Sequence, residues 1–178
     1  MIIGTGMATR AWLAVLIVLL LSARGRGQLD KAWWLIVNFE PRGASVEGIP
    51  IQQIDPSWVA ASLLRDLALP TAASEPGLTL QDNDATFEIL RDFNGDGRAE
   101  KVLVGVYKTR SGELGRFLLV LSSRPGGRWL KQALFKEAGK AGFSALLDRP
   151  RLIWTTCLEC DNFCEVISRT GTWRLECA

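Results

Sequence analysis

From Leu78 onward the period of the apolar positions changes to that of β-strands. Ala85–Arg91 places Phe87 and Ile89 on one face and Glu88 on the other. Lys101–Lys108 sets Val102, Val104 and Val106 against Leu103 and Tyr107, apolar on both faces, which predicts a central strand covered twice. Arg116–Ser123 has the same two-sided pattern, and Arg128–Phe135 alternates Trp129, Ala133 and Phe135 against Gln132. Turn signals at Thr109–Gly115, Arg124-Pro125-Gly126-Gly127 and Gly139/Gly142 separate these runs, and a short Phe143–Leu147 segment leads to a last group of strands.

Upstream, Ala32–Phe39 is apolar, aromatic and β-branched and predicts a first strand. Gly48–Ile54 predicts a short second strand that Pro50 confines to an edge. Asp55-Pro56-Ser57-Trp58 has the chemistry of a helix start, with an acidic cap and proline at the first helical position. Val59, Leu63 and Leu67 follow at a spacing of four, widened by Ala60 and Leu64, so a helix over about 55–68 is expected, ending before Pro70. Short connections between successive strands imply an antiparallel β-meander: a mainly β fold with one helix on its N-terminal side.

The first residues follow a different rule. Ala11–Ala23 is apolar apart from Ser22, preceded by Arg10 and followed by small residues. It is shorter than the ~20 residues a membrane-spanning helix needs, so a secretory signal over 1–27 is expected, with the mature domain at 28–178. Arg24 and Arg26 flank the far side of the run, the feature that favours an uncleaved anchor instead. Removing 1–27 takes Arg10, Arg24 and Arg26 from 21 basic residues and none from 19 acids, moving the net charge from +2 to −1. That balance asks for neither nucleic acid nor an anionic membrane surface. The chain has 0 histidines, which excludes Ser-His and Cys-His catalysis and imidazole metal sites.

One stretch carries metal chemistry. Asp92-Phe93-Asn94-Gly95-Asp96-Gly97-Arg98-Ala99-Glu100 places oxygen-bearing side chains at alternate positions, then a glycine, then a carboxylate four residues past Asp96. Asp92, Asn94 and Asp96 would present side-chain oxygens and Arg98 its backbone carbonyl, while Glu100 would close the ring directly or through water. Such an all-oxygen set suits Ca²⁺. Asn94-Gly95 and Asp96-Gly97 are also strong hairpin signals that need no ion, although a bare turn does not require both Asp92 and Glu100. The first half of the stretch resembles an EF-hand loop, but its twelfth position is Leu103 and strand follows it. It is more similar to the Asp-x-Asn-x-Asp-Gly-x-x-Asp/Glu loop of FG-GAP/VCBS repeats, over residues 85–108. That resemblance implies a loop between two antiparallel strands, with Ca²⁺ held by Asp92, Asn94, Asp96, Glu100 and the carbonyl of Arg98. The motif occurs once, in a chain too short for a propeller.

Cys157, Cys160, Cys164 and Cys177 lie in the last quarter of the chain, and in an exported protein an even count argues for disulfides. Cys164–Thr170 and Thr172–Cys177 alternate about Gly171, so a Thr170-Gly171 turn would set Cys164 opposite Cys177 and leave Cys157 to pair with Cys160. Two other uses stay open. Cys157-Leu158-Glu159-Cys160 has the spacing of a redox pair, without a proline between its cysteines. Zinc would ask for a second such pair, which Cys164 and Cys177 do not make.

Three functions follow. The leading expectation is an exported, periplasmic or extracellular calcium-binding β domain, non-enzymatic, that binds a protein or glycan partner. The others are a glycan hydrolase drawing on Asp82, Asp84, Glu88 or Glu113, and a thiol-redox protein using Cys157 and Cys160. Trp33, Trp34, Trp58, Trp129, Trp154 and Trp173 are expected to fill the core rather than present faces to sugars.

Overall fold

A computed structural model describes residues 32–161, 163–169 and 171–177; the expected leader and Thr170 lie outside the described residues. The chain folds as two antiparallel sheets. One is built from β3 (Trp58–Leu63), β6 (Glu100–Thr109), β7 (Leu114–Arg124) and β8 (Arg128–Ala138), with β5 (Glu88–Arg91) also pairing with β6. β3 and β5 lie end to end along one edge of β6, β3 against Gly105–Thr109 and β5 against Glu100–Leu103. The other sheet has the order β12-β11-β10-β9-β4, from β4 (Ala85–Thr86), β9 (Ala145–Asp148), β10 (Leu152–Thr155), β11 (Phe163–Arg169) and β12 (Thr172–Cys177). A small hairpin, β1 (Ser45–Val46) with β2 (Ile49–Pro50), stands apart.

The two-sided apolar pattern of β6 is matched by two cores. Val102, Val104 and Val106, with Leu118 and Val120, face the second sheet and pack on Leu146, Leu152, Trp154, Val166 and Trp173. On the opposite face, Leu103, Tyr107, Phe117, Leu119 and Leu121 are covered by Val46, Ile51, Ile54 and Trp58. The central strands are therefore buried on both faces, as their sequence requires.

The strand expected over 85–91 divides between the sheets. Thr86 pairs with Leu146 in one and Glu88 with Leu103 in the other. Phe87, buried between them, meets Phe143 edge-on at 6.1 Å. A strand that changes sheets at a bend makes the corner of a two-layer packing.

Three N-terminal expectations are corrected. Residues 58–63 form strand β3, not part of a helix over 55–68; only Leu64–Asp66 makes a 3₁₀ turn. The capping signal acts locally: Asp55 Oδ1 accepts from the Ser57 amide (2.9 Å) and hydroxyl (2.6 Å), and the Trp58 amide donates to the Asp55 carbonyl. Proline fits the second position of such a turn as well as it fits a first helical turn. The open edge of β6 then takes the following residues as a strand, with Trp58 and Ala61 buried and Val59 exposed. Second, Trp33–Ile36 is a one-turn helix, α1, not a strand. Trp33 and Trp34 are both buried while Leu35 and Ile36 are exposed, and a strand would send adjacent tryptophans to opposite faces. Third, beyond β2, Ile51–Ile54 is a second short helix, α2, burying Ile51 and Ile54 on one side.

Asp55 also ties this cover to the sheet through Lys136 Nζ at 2.6 Å. Burial pushes the Asp55 carboxyl up, but Lys136 and the two Ser57 donors outweigh it and hold it at about 2, below the ordinary 3.8. A depressed carboxylate stabilises the fold above its unfolded pKa and loses that contribution as pH falls through the folded one. Asp55→Asn is therefore expected to be less stable than the parent above about pH 4, with the gap closing as pH falls toward about 2. Denaturant midpoints across that range check it, and a gap that does not change with pH would refute it.

Candidate functional site

The stretch Asp92–Glu100 joins β5 to β6, whose pairing runs up to Arg91 opposite Glu100. Its polar side chains organise the loop from inside. Asp92 Oδ1 accepts from the Gly95 amide (2.7 Å) and Oδ2 from the Gly97 amide (2.8 Å). Asn94 Oδ1 accepts from the Asp96 amide and Asp96 Oδ1 from the Arg98 amide, each at 2.8 Å. Gly97 takes φ +80°, which a side chain would resist, and this conformation points its amide at Asp92. That amide leads those of Gly95, Asp96 and Asn94 in holding the Asp92 carboxyl below its ordinary range.

Glu100 closes the loop from the sheet. Its residue is 1 % exposed; Oε2 accepts from the Phe93 amide (2.9 Å) and Oε1 from Asn94 Nδ2 (3.0 Å). The same Nδ2 lies 3.3 Å from Asp96 Oδ2, so two carboxylates face one point, where the amide group now sits. Two neighbouring cations turn elsewhere, while Arg98 and Arg124 line the same cleft as Asn94, Asp96 and Glu100. Arg91 pairs with Asp148, and Lys101, on the opposite face of β6, pairs with Glu47 and Glu88. Among the described residues no lysine or arginine forms an ion pair with Glu100. A buried carboxylate without a counter-charge is costly, and a cation would supply one. The oxygen-only donors fit a hard cation. Asp92, however, is turned onto loop amides, and among the described residues no three acidic, histidine or cysteine side chains meet as a ready ligand group. The loop also borders a cleft of about 200 Å³, closed by Ser122, Gln132 and Trp173. Phe93 packs edge-on against Trp173 at 5.7 Å and carries the Arg91 guanidinium on its face, fixing the loop to the C-terminal hairpin.

The cysteines pair as Cys157–Cys160 and Cys164–Cys177, and among the described residues none is free. Cys164 stands directly opposite Cys177 in the β11–β12 register. Two disulfides fit an oxidising, non-cytoplasmic setting. Among the described residues no helix is long and apolar enough to cross a membrane. Trp33, Trp34, Trp58, Trp154 and Trp173 are buried, and Trp129 is half-buried beneath the Lys101 ammonium at 4.7 Å.

The four acids considered for hydrolysis do not gather. Asp82 accepts from the Gly77 amide, Asp84 ends a 3₁₀ turn at φ +53°, Glu88 joins an ion network and Glu113 lies beside the Tyr107 hydroxyl. A cleft of about 680 Å³ is lined by residues from 42–47 and 61–68 and by none of these four.

One charged group is absent from the sequence-based expectations. Glu47 and Glu88 share Arg65 and Lys101, with Lys101 Nζ at 2.8 and 3.2 Å from the two carboxylates. Burial pushes the Glu47 carboxyl up, but Lys101 and Arg65 together bring it below its ordinary value. Glu47 takes φ +51° and Gly48 +76°, the paired positive angles of a two-residue hairpin turn. Glu47-Gly48 between Val46 and Ile49 was the available signal. The network pins the small hairpin over the central sheet. No protein-family model matches this chain, and no curated protein or solved structure matches it either.

Proposed function

We propose that this chain is an exported β domain whose β5–β6 loop binds Ca²⁺ as a structural ion and fixes a surface for a protein or glycan partner. Asp96, Glu100, Asn94, Asp92 and the Arg98 carbonyl are the proposed ligands, following the FG-GAP/VCBS resemblance. The observation that carries the reading is Glu100: a buried carboxylate facing the same point as Asp96, with no cationic partner among the described residues. The two disulfides support the exported setting. The ion neutralises Glu100 and Asp96 together and locks the loop against Trp173, giving the adjoining cleft a defined shape.

An extracellular site of this kind binds at about 10⁻⁴–10⁻³ M. At about 10 mM Ca²⁺ it would add roughly 1.4–2.7 kcal/mol, or about 3–10 °C in melting temperature. Asp96→Ala is expected to remove that rise while leaving the chelator-treated protein folded. A melting curve indifferent to Ca²⁺ and chelator in the parent protein would end the proposal.

A further inference from the structure

We propose that Cys157–Cys160 is a thiol-exchange site, and that the cleft it lines takes a small thiol bearing a carboxylate. The two bridges are placed differently. Cys164–Cys177 links paired strands whose ladder holds its ends together in either redox state. Cys157–Cys160 spans only Leu158 and Glu159, and it lines a cleft of about 180 Å³ beside Trp34, Arg116 and Lys140.

The two sulfurs of this bridge are not equivalent. Cys160 is exposed, whereas Cys157, two residues past β10, is 6 % exposed. The Thr155 hydroxyl donates to the Cys157 carbonyl at 2.6 Å and accepts from its amide at 3.2 Å, fixing the backbone there. An incoming thiolate therefore reaches Cys160 Sγ, and Cys157 is the leaving group. Arg116 and Lys140 share the cleft with that leaving sulfur, and cations favour a thiolate. Among the described residues no aspartate or glutamate lines the cleft. Two donors of its wall residues, Trp34 Nε1 and Arg116 Nε, are buried with no acceptor among the described residues. Arg116 is held by the Phe143 carbonyl at 2.9 Å and by Glu137 at 3.4 Å. The cationic wall selects an anionic thiol over a neutral one.

The exchange balances. A thiolate RS⁻ attacks Cys160 Sγ, the bond to Cys157 Sγ breaks, and its electron pair leaves as the Cys157 thiolate. A second RS⁻ attacks the R-bearing sulfur, releasing RSSR and the Cys160 thiolate. Two thiols are oxidised, one protein disulfide is reduced, and the two protein thiolates draw protons from solvent according to pH.

The test uses the native, oxidised protein with limiting 3-mercaptopropionate or 2-mercaptoethanol, compared per thiolate, followed by acid quench and peptide mass mapping. Cys157–Cys160 should open first, with the adduct on Cys160. 3-Mercaptopropionate should react several-fold faster than 2-mercaptoethanol, and that preference should shrink in Lys140→Gln and in high salt. Adducts on Cys157, Cys164–Cys177 opening first, or reduction only after unfolding would overturn the exchange site. Equal rates for the two thiols, unchanged by Lys140→Gln, would overturn the anionic ligand. Neither result bears on the calcium loop.

Discussion

Gly105→Val is expected to leave the chain without a cooperative fold, and Gly105→Ala to cost about 3 kcal/mol, the upper end for overpacking a core. Gly105 sits inside β6, where a Cβ atom would lie 2.3 Å from Phe117 Cζ and 2.5 Å from the Ser62 carbonyl oxygen. Neither neighbour can withdraw freely. Phe117 is fully buried, its ring centroid 5.0 Å from that of Trp58, and Ser62 belongs to β3, paired along β6. Relief would push β3 away from β6 and open the core beneath it. With total stabilities of about 5–15 kcal/mol typical of such domains, a branched side chain there consumes most of the margin. Near-ultraviolet circular dichroism and thermal melts check this. Phe117→Leu in the alanine variant should recover part of the loss, since it removes one of the two obstacles. A Gly105→Ala protein melting with the parent would contradict the close approach.

The sequence was most legible where a single period ran uninterrupted. Val102, Val104 and Val106 against Leu103 and Tyr107 announced a strand covered on both faces, and the two cores are what cover it. Cys164 and Cys177 were placed opposite each other by counting outward from Gly171, because strand alternation fixes register once the turn is known. Legibility failed where local chemistry serves two structures. Asp55-Pro56 caps helices and opens turns equally well, and Val59, Leu63 and Leu67 suggested a helix that the free edge of β6 overrode. The candidate loop was legible in composition and position but not in orientation. Nothing in the spacing of Asp92 told that both its oxygens would serve loop amides, or that Glu100 would be the buried member. The second depends on which face of β6 each residue occupies: Glu100 shares that of Val102 and Val104, whereas Lys101 faces the Glu47 network.

Trp58→Ala is expected to cost about 3–5 kcal/mol, lowering the melting temperature by roughly 10 °C or more. Val59→Ser, by contrast, should stay within about 0.5 kcal/mol. Trp58 is fully buried, stacked on Tyr107 at 4.9 Å and 8°, and it closes the second core from above the sheet. Val59, next in sequence, is 45 % exposed. A helix over 55–68 would place Val59 on the buried stripe with Leu63 and Leu67, making Val59→Ser the damaging change, so the pair of variants separates strand from helix without a structure. The Trp58 indole N–H is buried with no acceptor among the described residues, so Trp58→Phe sheds that donor along with its volume and should cost well under half as much. Because Trp58 belongs to the core on the far face of β6 from Glu100, effects at the two places should add. In Trp58→Ala the increment from Ca²⁺ is expected to survive unchanged on a lowered baseline, measured as paired melts with chelator and with Ca²⁺. Loss of the increment in a variant that still melts cooperatively would mean that the loop draws its geometry from the wrong face of the sheet.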